Sequence, residues 1–455
     1  MKTIRILALL SLSAALLCGC DDFLDITPTG KVIAKTGKEY RALLTYEYKN
    51  FPEDRGLATL RSDELLLSSS VTSSDDYNSY FDIWAWNDLN RQSTTSSFSW
   101  RRYYHTIYIA NYLIEHQNEI SDAKASEVNQ LVGEAYMLRA YCHFLLANLF
   151  AEPYTRCTPS ATRGIPLSLK ADVNAVLRCS SLEAVYDQVL ADIQAAQTYL
   201  NVDVWDAGYN YRFGRVAADA LLARVYLYEG DWQNALLAAK AVIAEHGDLE
   251  DLTQSSALMP NSYKSVESIL ALEKVMTAGY SRIGNPSSTF VNTLYRTGDQ
   301  RKRKYFKQVT LKSFNLRKGI NESEDYVCSM RTGEAYLTAA EAAAQLDSLE
   351  TARTWLKALM QKRYSASMYE TYAAELDPMD QGQLLEAIYD ERTRELAFEG
   401  HRWFDLRRTT QPELVKTYGP DTYTLSQGDA RYTLNFPTEA VEANPDIELW
   451  EDDAK

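Results

Sequence analysis

The chain of 455 residues is 46% apolar and 24% charged. These are ordinary globular values that exclude a largely disordered or collagen-like polymer, and at roughly 150 residues per domain the length suits about three domains or one large repetitive one. Nineteen Gly and 12 Pro argue against a turn-dense all-β architecture. A mean hydropathy of −0.34, with no apolar run of about 18 residues past the N-terminus, excludes a polytopic membrane protein. With 62 acidic against 47 basic side chains the net charge is −15, a surface that repels phosphate backbones, so no nucleic-acid partner is expected. The unusual count is aromatic: 31 Tyr and 8 Trp.

Met1 to Cys20 has the build of an export signal. Lys2 and Arg5 form a positive leader, and Ile6 to Leu17 is an apolar stretch too short to span a bilayer. Leu17-Cys18-Gly19-Cys20 follows directly and resembles a bacterial lipobox. That resemblance implies cleavage before Cys20 and acylation of Cys20, giving a stable membrane anchor. Asp21 and Asp22 come next, and by resemblance such acids imply export to the cell surface. The expected division is therefore a lipoprotein signal peptide at 1–19 and one domain at 20–455.

Residues 50–100 are rich in Ser, Asp, Asn and Trp and show no helical period. Beyond them Leu131, Ala135, Leu138, Cys142, Leu145 and Leu149 recur at three- and four-residue steps, one apolar helical face. Ser181 caps a second helix carrying Leu182, Val185, Val189, Ile193 and Ala196. After a Gly/Asp/Tyr-rich break at 201–212, a third begins near Val216. The segment Ala220 to Ile243, with Leu222, Ala223 and Tyr226, then Gly230-Asp231-Trp232 and Ala235, resembles a tetratricopeptide repeat. Small Ala223 and Ala235 allow close helix approach, and Gly230 allows the tight turn. Residues 251–330 again lack a period, and a diverged repeat returns with Ala340, Ala343, Leu349, Ala352 and Leu356. The expectation is a mostly helical, all-α fold with helix pairs near 131–200, 216–245 and 334–363, and loop insertions near 50–100 and 251–330. Such pairs bury their faces only by stacking. Tyr104, Tyr136, Tyr141, Tyr226, Tyr228 and Trp232 fall at helical positions and are expected to pack the scaffold.

Signatures of catalysis and metal binding are missing. None of the five histidines is spaced i, i+4 with another, and no GxSxG elbow, Walker loop or GxGxxG fingerprint occurs. Cys142, Cys157, Cys179 and Cys328 are irregularly spaced, unlike a zinc ribbon, and suit buried thiols with at most one bridge. Glu391, Glu395 and Glu399 share a helical face, but interleaved Arg392, Arg394 and Arg402 favour a packed ion network over a catalytic pair.

That run continues to Arg408 as ERxxELAFEGxRWFDLRR and closely resembles the C-terminal signature of the SusD/RagB family of outer-membrane nutrient-capture lipoproteins. Further resemblances follow in the family's order: Cys20 to Asp25; Trp100, Tyr104, Ile107 and Ala110-Asn111; Glu134 to Ala140; Asp299 with Arg301; Arg331, Glu334, Leu337 and Ala340 to Ala342; Phe436-Pro437 with Glu439 and Asn444-Pro445. The resemblance implies a single SusD-like helical domain, lipid-anchored at the outer membrane and facing the cell exterior. It would lie over a SusC-like TonB-dependent barrel, to which it passes an oligomeric nutrient, usually a glycan. It implies no catalysis, and the residues single out no cofactor or metal ligand. The same lid role for oligopeptides, a protein-binding helical scaffold and a lipid-anchored glycosidase are the other readings.

The best ligand candidate is Tyr77 to Asp88. If extended, Phe81, Ile83 and Ala85 face the core, while Asp82, Trp84, Trp86 and Asp88 share the other face, with Tyr80 and Asn87 beside them. Two indoles flanked by carboxylates suit a pyranose, whose C–H face stacks on flat rings while its hydroxyls bond to acids and amides. Packing of both indoles against a helix is the competing reading. Tyr280 to Arg296, with Arg282, Asn285, Tyr295 and Arg296, is a second candidate, and the 201–212 loop with Trp205, Tyr209 and Tyr211 a third. The basic run Arg301 to Lys304 is expected to meet solvent or the barrel.

Overall fold

Apolar stripes at helical spacing build most of the chain. The computed structural model describes residues 34–68, 74–89, 91–318 and 325–449. The export segment, Cys20 and the Asp21–Asp22 pair lie outside the described residues. The first half holds α1 (Gly37–Lys49), α2 (Asp54–Thr59), β1 (Leu65–Leu67), α3 (Asp75–Trp84), α4 (Trp100–Glu115), α5 (Ala125–Phe150), β2 (Arg163–Pro166), β3 (Cys179–Ser181), α6 (Leu182–Tyr199), α7 (Arg215–Glu229) and α8 (Trp232–Glu245). Helices α5 and α6 form the first pair, and Ser181 caps α6 by accepting the Ala184 N–H at 3.2 Å. Helices α7 and α8 form the second. Gly230 ends α7 at a left-handed φ of 79°, a conformation that costs glycine least, and Asp231 opens α8. Ala223, Ala238, Ala239 and Ala339 pack at the junction with the next pair, where small side chains allow close approach.

The second half holds β4 (Ser268–Leu270), α9 (Ala278–Ile283), β5 (Gly284–Pro286), α10 (Ser288–Leu294), α11 (Gln300–Tyr305), β6 (Phe306–Thr310), β7 (Ser313–Leu316), β8 (Met330–Arg331), α12 (Thr332–Gln345), α13 (Leu349–Gln361), α14 (Ala366–Glu375), α15 (Gln381–Glu395), α16 (Arg402–Arg408), β9 (Leu414–Tyr418), β10 (Asp421–Leu425) and α17 (Thr438–Ala443). Helices α12 and α13 are the third pair. The described strands form two-stranded antiparallel ribbons: β1 with β5, β2 with β3, β4 with β8, β6 with β7 and β9 with β10. One core runs from Ala34 to Ile447, and a second lies among α12 to α15. Cys142, Cys157, Cys179 and Cys328 are free thiols. No described helix is long and apolar enough to cross a membrane.

Two expectations need correction. The stretches near 50–100 and 251–330 are not merely loops, since they contain α2, α3, β1 and the run from β4 to β7. Residues 75–84 are helical rather than extended. Ser74 starts this helix by accepting the Tyr77 N–H at 3.1 Å, and Asp75 and Asp76 in its first turn complement the helix dipole.

The C-terminal signature is indeed an ion network. Glu395 accepts hydrogen bonds from Arg301 at 3.0 Å, Arg331 at 2.8 Å and Arg363 at 2.9 and 2.8 Å. Glu399 takes Arg331 at 2.7 Å and also bonds Lys318, while Glu267 takes Arg331 at 2.8 Å and Arg363 at 2.6 Å. Glu391 pairs with Arg301 at 2.7 Å and Arg394 at 2.9 Å. All of these side chains are buried. The basic run at 301–304 is thereby divided, with Arg301 inside this network.

Candidate binding surface

The two indoles singled out from the sequence are interior. Trp84 and Trp86 are 0% and 1% exposed, so neither ring is open to a sugar. Trp84 donates its N–H to the Leu65 carbonyl and Trp86 to that of Arg61, both at 2.9 Å. Trp86 also ends α3. It sits at a φ of 56°, where its N–H meets the Ile83 carbonyl and the Asn87 N–H meets that of Asp82. This is a Schellman end in which a tryptophan occupies the usual glycine position. A bulky residue there is strained; ring burial and the bond to Arg61 offset that cost.

The flanking acids are structural as well. Buried Asp82 accepts the Gln92 N–H at 2.8 Å, the Thr95 hydroxyl at 2.6 Å and the Asn87 amide at 2.9 Å, which folds the following loop over α3. Asp88 takes a bidentate pair from Arg61, both bonds 2.8 Å, and a third from Arg91 at 2.6 Å. Tyr295 is buried and donates to the Arg394 carbonyl at 2.8 Å. Arg296 is exposed, bridged to Glu375 at 2.8 Å and stacked 3.5 Å over Tyr372.

What faces outward from α3 is a different set of rings. In a helix Tyr77, Tyr80 and Phe81 share a face, and all three are half-buried. The β9–β10 hairpin crosses beside them. It is a two-residue loop, Gly419-Pro420, with Gly419 at a φ of 59° and Tyr418 paired to Asp421. It brings Tyr418 to 5.6 Å from both Tyr77 and Phe81, and Tyr423 to 5.5 Å from Phe81. Tyr80 sits edge-on to Tyr280 of α9 at 5.0 Å, and Arg282 from the same helix pairs with Asp76 at 2.5 Å. That guanidinium holds the Asp76 carboxyl below the usual carboxylate range, while burial and Tyr418 push the Tyr77 phenol up.

Beneath the ridge Lys416 fastens the hairpin to α3. Its buried ammonium donates to the carbonyls of Leu60 at 2.8 Å and Trp84 at 3.0 Å and lies 4.1 Å from the Trp86 ring centre. Burial, with Arg61 nearby, pulls it well below the ordinary lysine value. Trp84 and Trp86 are thus the floor of an aromatic ridge whose surface is Tyr77, Tyr80, Phe81, Tyr418 and Tyr423. The sequence reading missed Tyr418 and Tyr423. The alternation from Leu414 to Leu425 about Gly419-Pro420 was the available signal.

Elsewhere, Arg212 lies 5.1, 5.1 and 5.2 Å from the ring centres of Trp205, Tyr209 and Tyr211, beside a cleft of about 490 Å³ that Trp205 and Arg212 line with Arg41, Gln130 and Asn201. The carboxylates of the α15 face are enclosed by arginines and offer a substrate no access. Among the described residues no group of three His, Cys, Asp or Glu side chains could hold a metal ion.

Residues 22–227 match a family model described as "Starch-binding associating with outer membrane", and residues 223–450 match the model of the SusD family. SusD-like protein P38 of Formosa agariphila is 26% identical over 253 residues, which covers 54% of this chain but 46% of that protein, so the chain spans about half the length of this curated relative. SusD-like protein P2 of the same organism is 24% identical over 377 residues, 68% of this chain and 70% of that protein. The fold is similar to a crystal structure of a SusD superfamily protein from Bacteroides thetaiotaomicron, with a TM-score of 0.76, 21% identity and coverage of 91% and 99% of the two chains. It is also similar to a laminarin-binding SusD-like protein, with a TM-score of 0.60, 20% identity and coverage of 82% and 92%. The chain belongs to the SusD family.

Proposed function

From that membership we propose that the chain is a lipid-anchored lid at the outer face of the outer membrane, one that captures an oligosaccharide and passes it to a SusC-like TonB-dependent barrel. The observation that carries the reading is the ridge of half-buried rings at Tyr77, Tyr80, Phe81, Tyr418 and Tyr423, set beside the Asp76–Arg282 pair on a SusD scaffold. Flat rings with phenol hydroxyls, bordered by a carboxylate and a guanidinium, offer a sugar both stacking and hydrogen bonds. One neighbour in fold is named for laminarin binding. The lipobox at Cys20 supports the anchor and Asp21–Asp22 the outward orientation.

The test is titration of the mature chain against a broad oligosaccharide panel, with Tyr77→Ala/Tyr418→Ala as the variant. Each stacked ring is worth about 0.5–1.5 kcal/mol, so the double variant should bind roughly tenfold or more weakly with its fold intact. Unchanged affinity would remove the ridge as the site. Absence of any oligosaccharide binding, with peptide recovered from the native barrel complex, would replace glycan by peptide cargo.

A further inference from the structure

A second concave surface has the opposite electrostatic character from the chain as a whole. Between the α10–α11 turn and the β6–β7 hairpin lies a cleft of about 750 Å³ lined by Arg296, Lys302, Arg303, Lys307 and Arg317. We propose that this cleft is an anion subsite that takes the carboxylate or sulfate groups of an acidic oligosaccharide, an inference that rests on the glycan-binding reading above.

Four observations carry it. First, the cations are unpaired. Lys302, Arg303, Lys307 and Arg317 form no ion pair with any described carboxylate. Lys302 donates to the Asn292 amide oxygen at 3.1 Å, and Arg303 to Gln300 at 2.7 Å and the Leu252 carbonyl at 3.3 Å, all neutral acceptors. In the interior, by contrast, Arg55, Arg139, Arg224 and Arg408 are each matched with a carboxylate. Second, the cleft has no free anion of its own. Asp299, its only described carboxylate, is held by Arg301 at 2.8 Å, and Arg296 at the rim is already bridged to Glu375.

Third, the walls rest on packed and paired backbone. Phe306, Phe314 and Tyr295 are buried beneath the cations. Strand alternation puts Phe306, Phe314 and Leu316 inward and Lys307, Asn315 and Arg317 outward, with Lys307 opposite Asn315. The Arg317 N–H is fixed to the Tyr305 carbonyl at 2.7 Å. Fourth, the shape selects the ligand. Like charges held together without counter-charges repel one another, and a cleft focuses their field on an incoming anion. Charge-assisted bonds from lysine and arginine to carboxylate or sulfate are among the strong ones. The volume lies within the roughly 300–1,000 Å³ of small-molecule sites. A long polyanion such as nucleic acid would run past the cleft along a chain whose overall net charge is −15, whereas a short acidic oligosaccharide matches the cleft's volume.

The experiment is calorimetric titration of the mature chain with three tetrasaccharide probes (galacturonate, sulfated galactose and neutral maltotetraose) at low and high sodium chloride. The parent is compared with Lys302→Gln/Arg317→Gln and with Lys240→Gln as an exposed control outside the cleft. The expected result is at least tenfold tighter binding of an anionic probe than of the neutral one at low salt, weakening as salt rises. In Lys302→Gln/Arg317→Gln that preference should fall at least tenfold, with neutral binding and thermal unfolding unchanged and the control like the parent. Anionic binding unchanged in the double variant would overturn the subsite. So would a neutral probe bound as tightly as the anionic ones, an outcome that leaves the glycan-binding reading standing. Failure of all three probes in a chain that binds another oligosaccharide of the broad panel would overturn the subsite alone, and failure across the whole panel would overturn both.

Discussion

Replacing Glu395 by Gln removes one charge from the centre of the buried network and keeps nearly the same shape. Arg301, Lys318, Arg331, Arg363 and Arg394 face Asp299, Glu267, Glu391, Glu395 and Glu399 there, five cations against five carboxylates. Glu395 alone receives bonds from three of the arginines, and their charges hold its carboxyl well below the usual range despite burial. The amide can accept at one oxygen, but its NH2 group then points at a guanidinium, leaving an uncompensated buried cation. Breaking a buried pair from one side costs about 3–5 kcal/mol, a large part of the roughly 5–15 kcal/mol that keeps a domain folded. With a denaturant slope near the upper end of about 3 kcal/mol/M in urea, the urea midpoint should fall by about 1 M or more. The assay is urea unfolding followed by tryptophan fluorescence, since Trp403 lies in the adjoining helix. Glu350→Gln is the control: its side chain is 91% exposed and merely pairs with Arg353, so its midpoint should match the parent. Because the folded pKa of Glu395 is depressed, its contribution is present above the unfolded value of 4.5 and lost as pH falls toward the folded one. Coincident midpoints for Glu395→Gln and Glu350→Gln at pH 7 would refute the claim that this network holds α15 to the core.

Glu64 behaves in the opposite sense. Burial pushes its carboxyl up to about 7 although it accepts the Phe398 N–H at 2.7 Å. The fold therefore favours its neutral form; that contribution is full below 4.5 and lost as pH rises through about 7. At about 1.4 kcal/mol per unit, Glu64→Gln should be more stable than the parent by up to roughly 3 kcal/mol at pH 8 and equal to it near pH 4, and melting curves that differ equally at both would contradict this. Trp84→Ala should cost about 3–5 kcal/mol and weaken binding by the folded fraction less than Tyr77→Ala/Tyr418→Ala does, since the ring reaches a ligand only through Phe81 and Tyr423. Measured by unfolding and titration together, the reverse pattern would restore the ring to the ligand. Gly298 has a φ of 79°, and a Cβ there would lie 2.5 Å from Met368 Cγ and 2.7 Å from Ser365 Oγ. Gly298→Ala should accordingly destabilise by about 1–3 kcal/mol in the same unfolding assay.

The helix pairs were legible because their determinants are local. Three- and four-residue apolar spacing, Ser181 as a cap, and Gly230 between Ala223 and Ala235 state the packing within about thirty residues of chain. The family motifs were legible for another reason: most are buried charge partnerships that tolerate few residue types. Asn111 accepts from Arg139, which clasps Asp192; Glu334 takes Arg224; Asp299 holds Arg301; Glu341 takes Arg408. Each is consumed by the scaffold, so the residues that identify the family say little about its cargo.

The ridge was misread where local signals compete. Over Tyr77 to Asp88 both a two-residue and a 3.6-residue period can be drawn, and the decisive Ser74-Asp75-Asp76 start lies just outside that window. Trp86 then ends the helix in a conformation expected of glycine, through a bond to Arg61 that no local rule foretells. Tyr418 and Tyr423 reach Tyr77 and Phe81 from more than three hundred residues downstream, and the charged run at Arg301 to Lys304 splits into one buried network member, two cleft cations and Lys304, which donates to the Ala257 carbonyl. In both places, the fully buried side chains belong to the fold. The half-buried rings of the ridge and the unpaired cations of the cleft face outward instead, and their arrangement depends on contacts between distant parts of the chain.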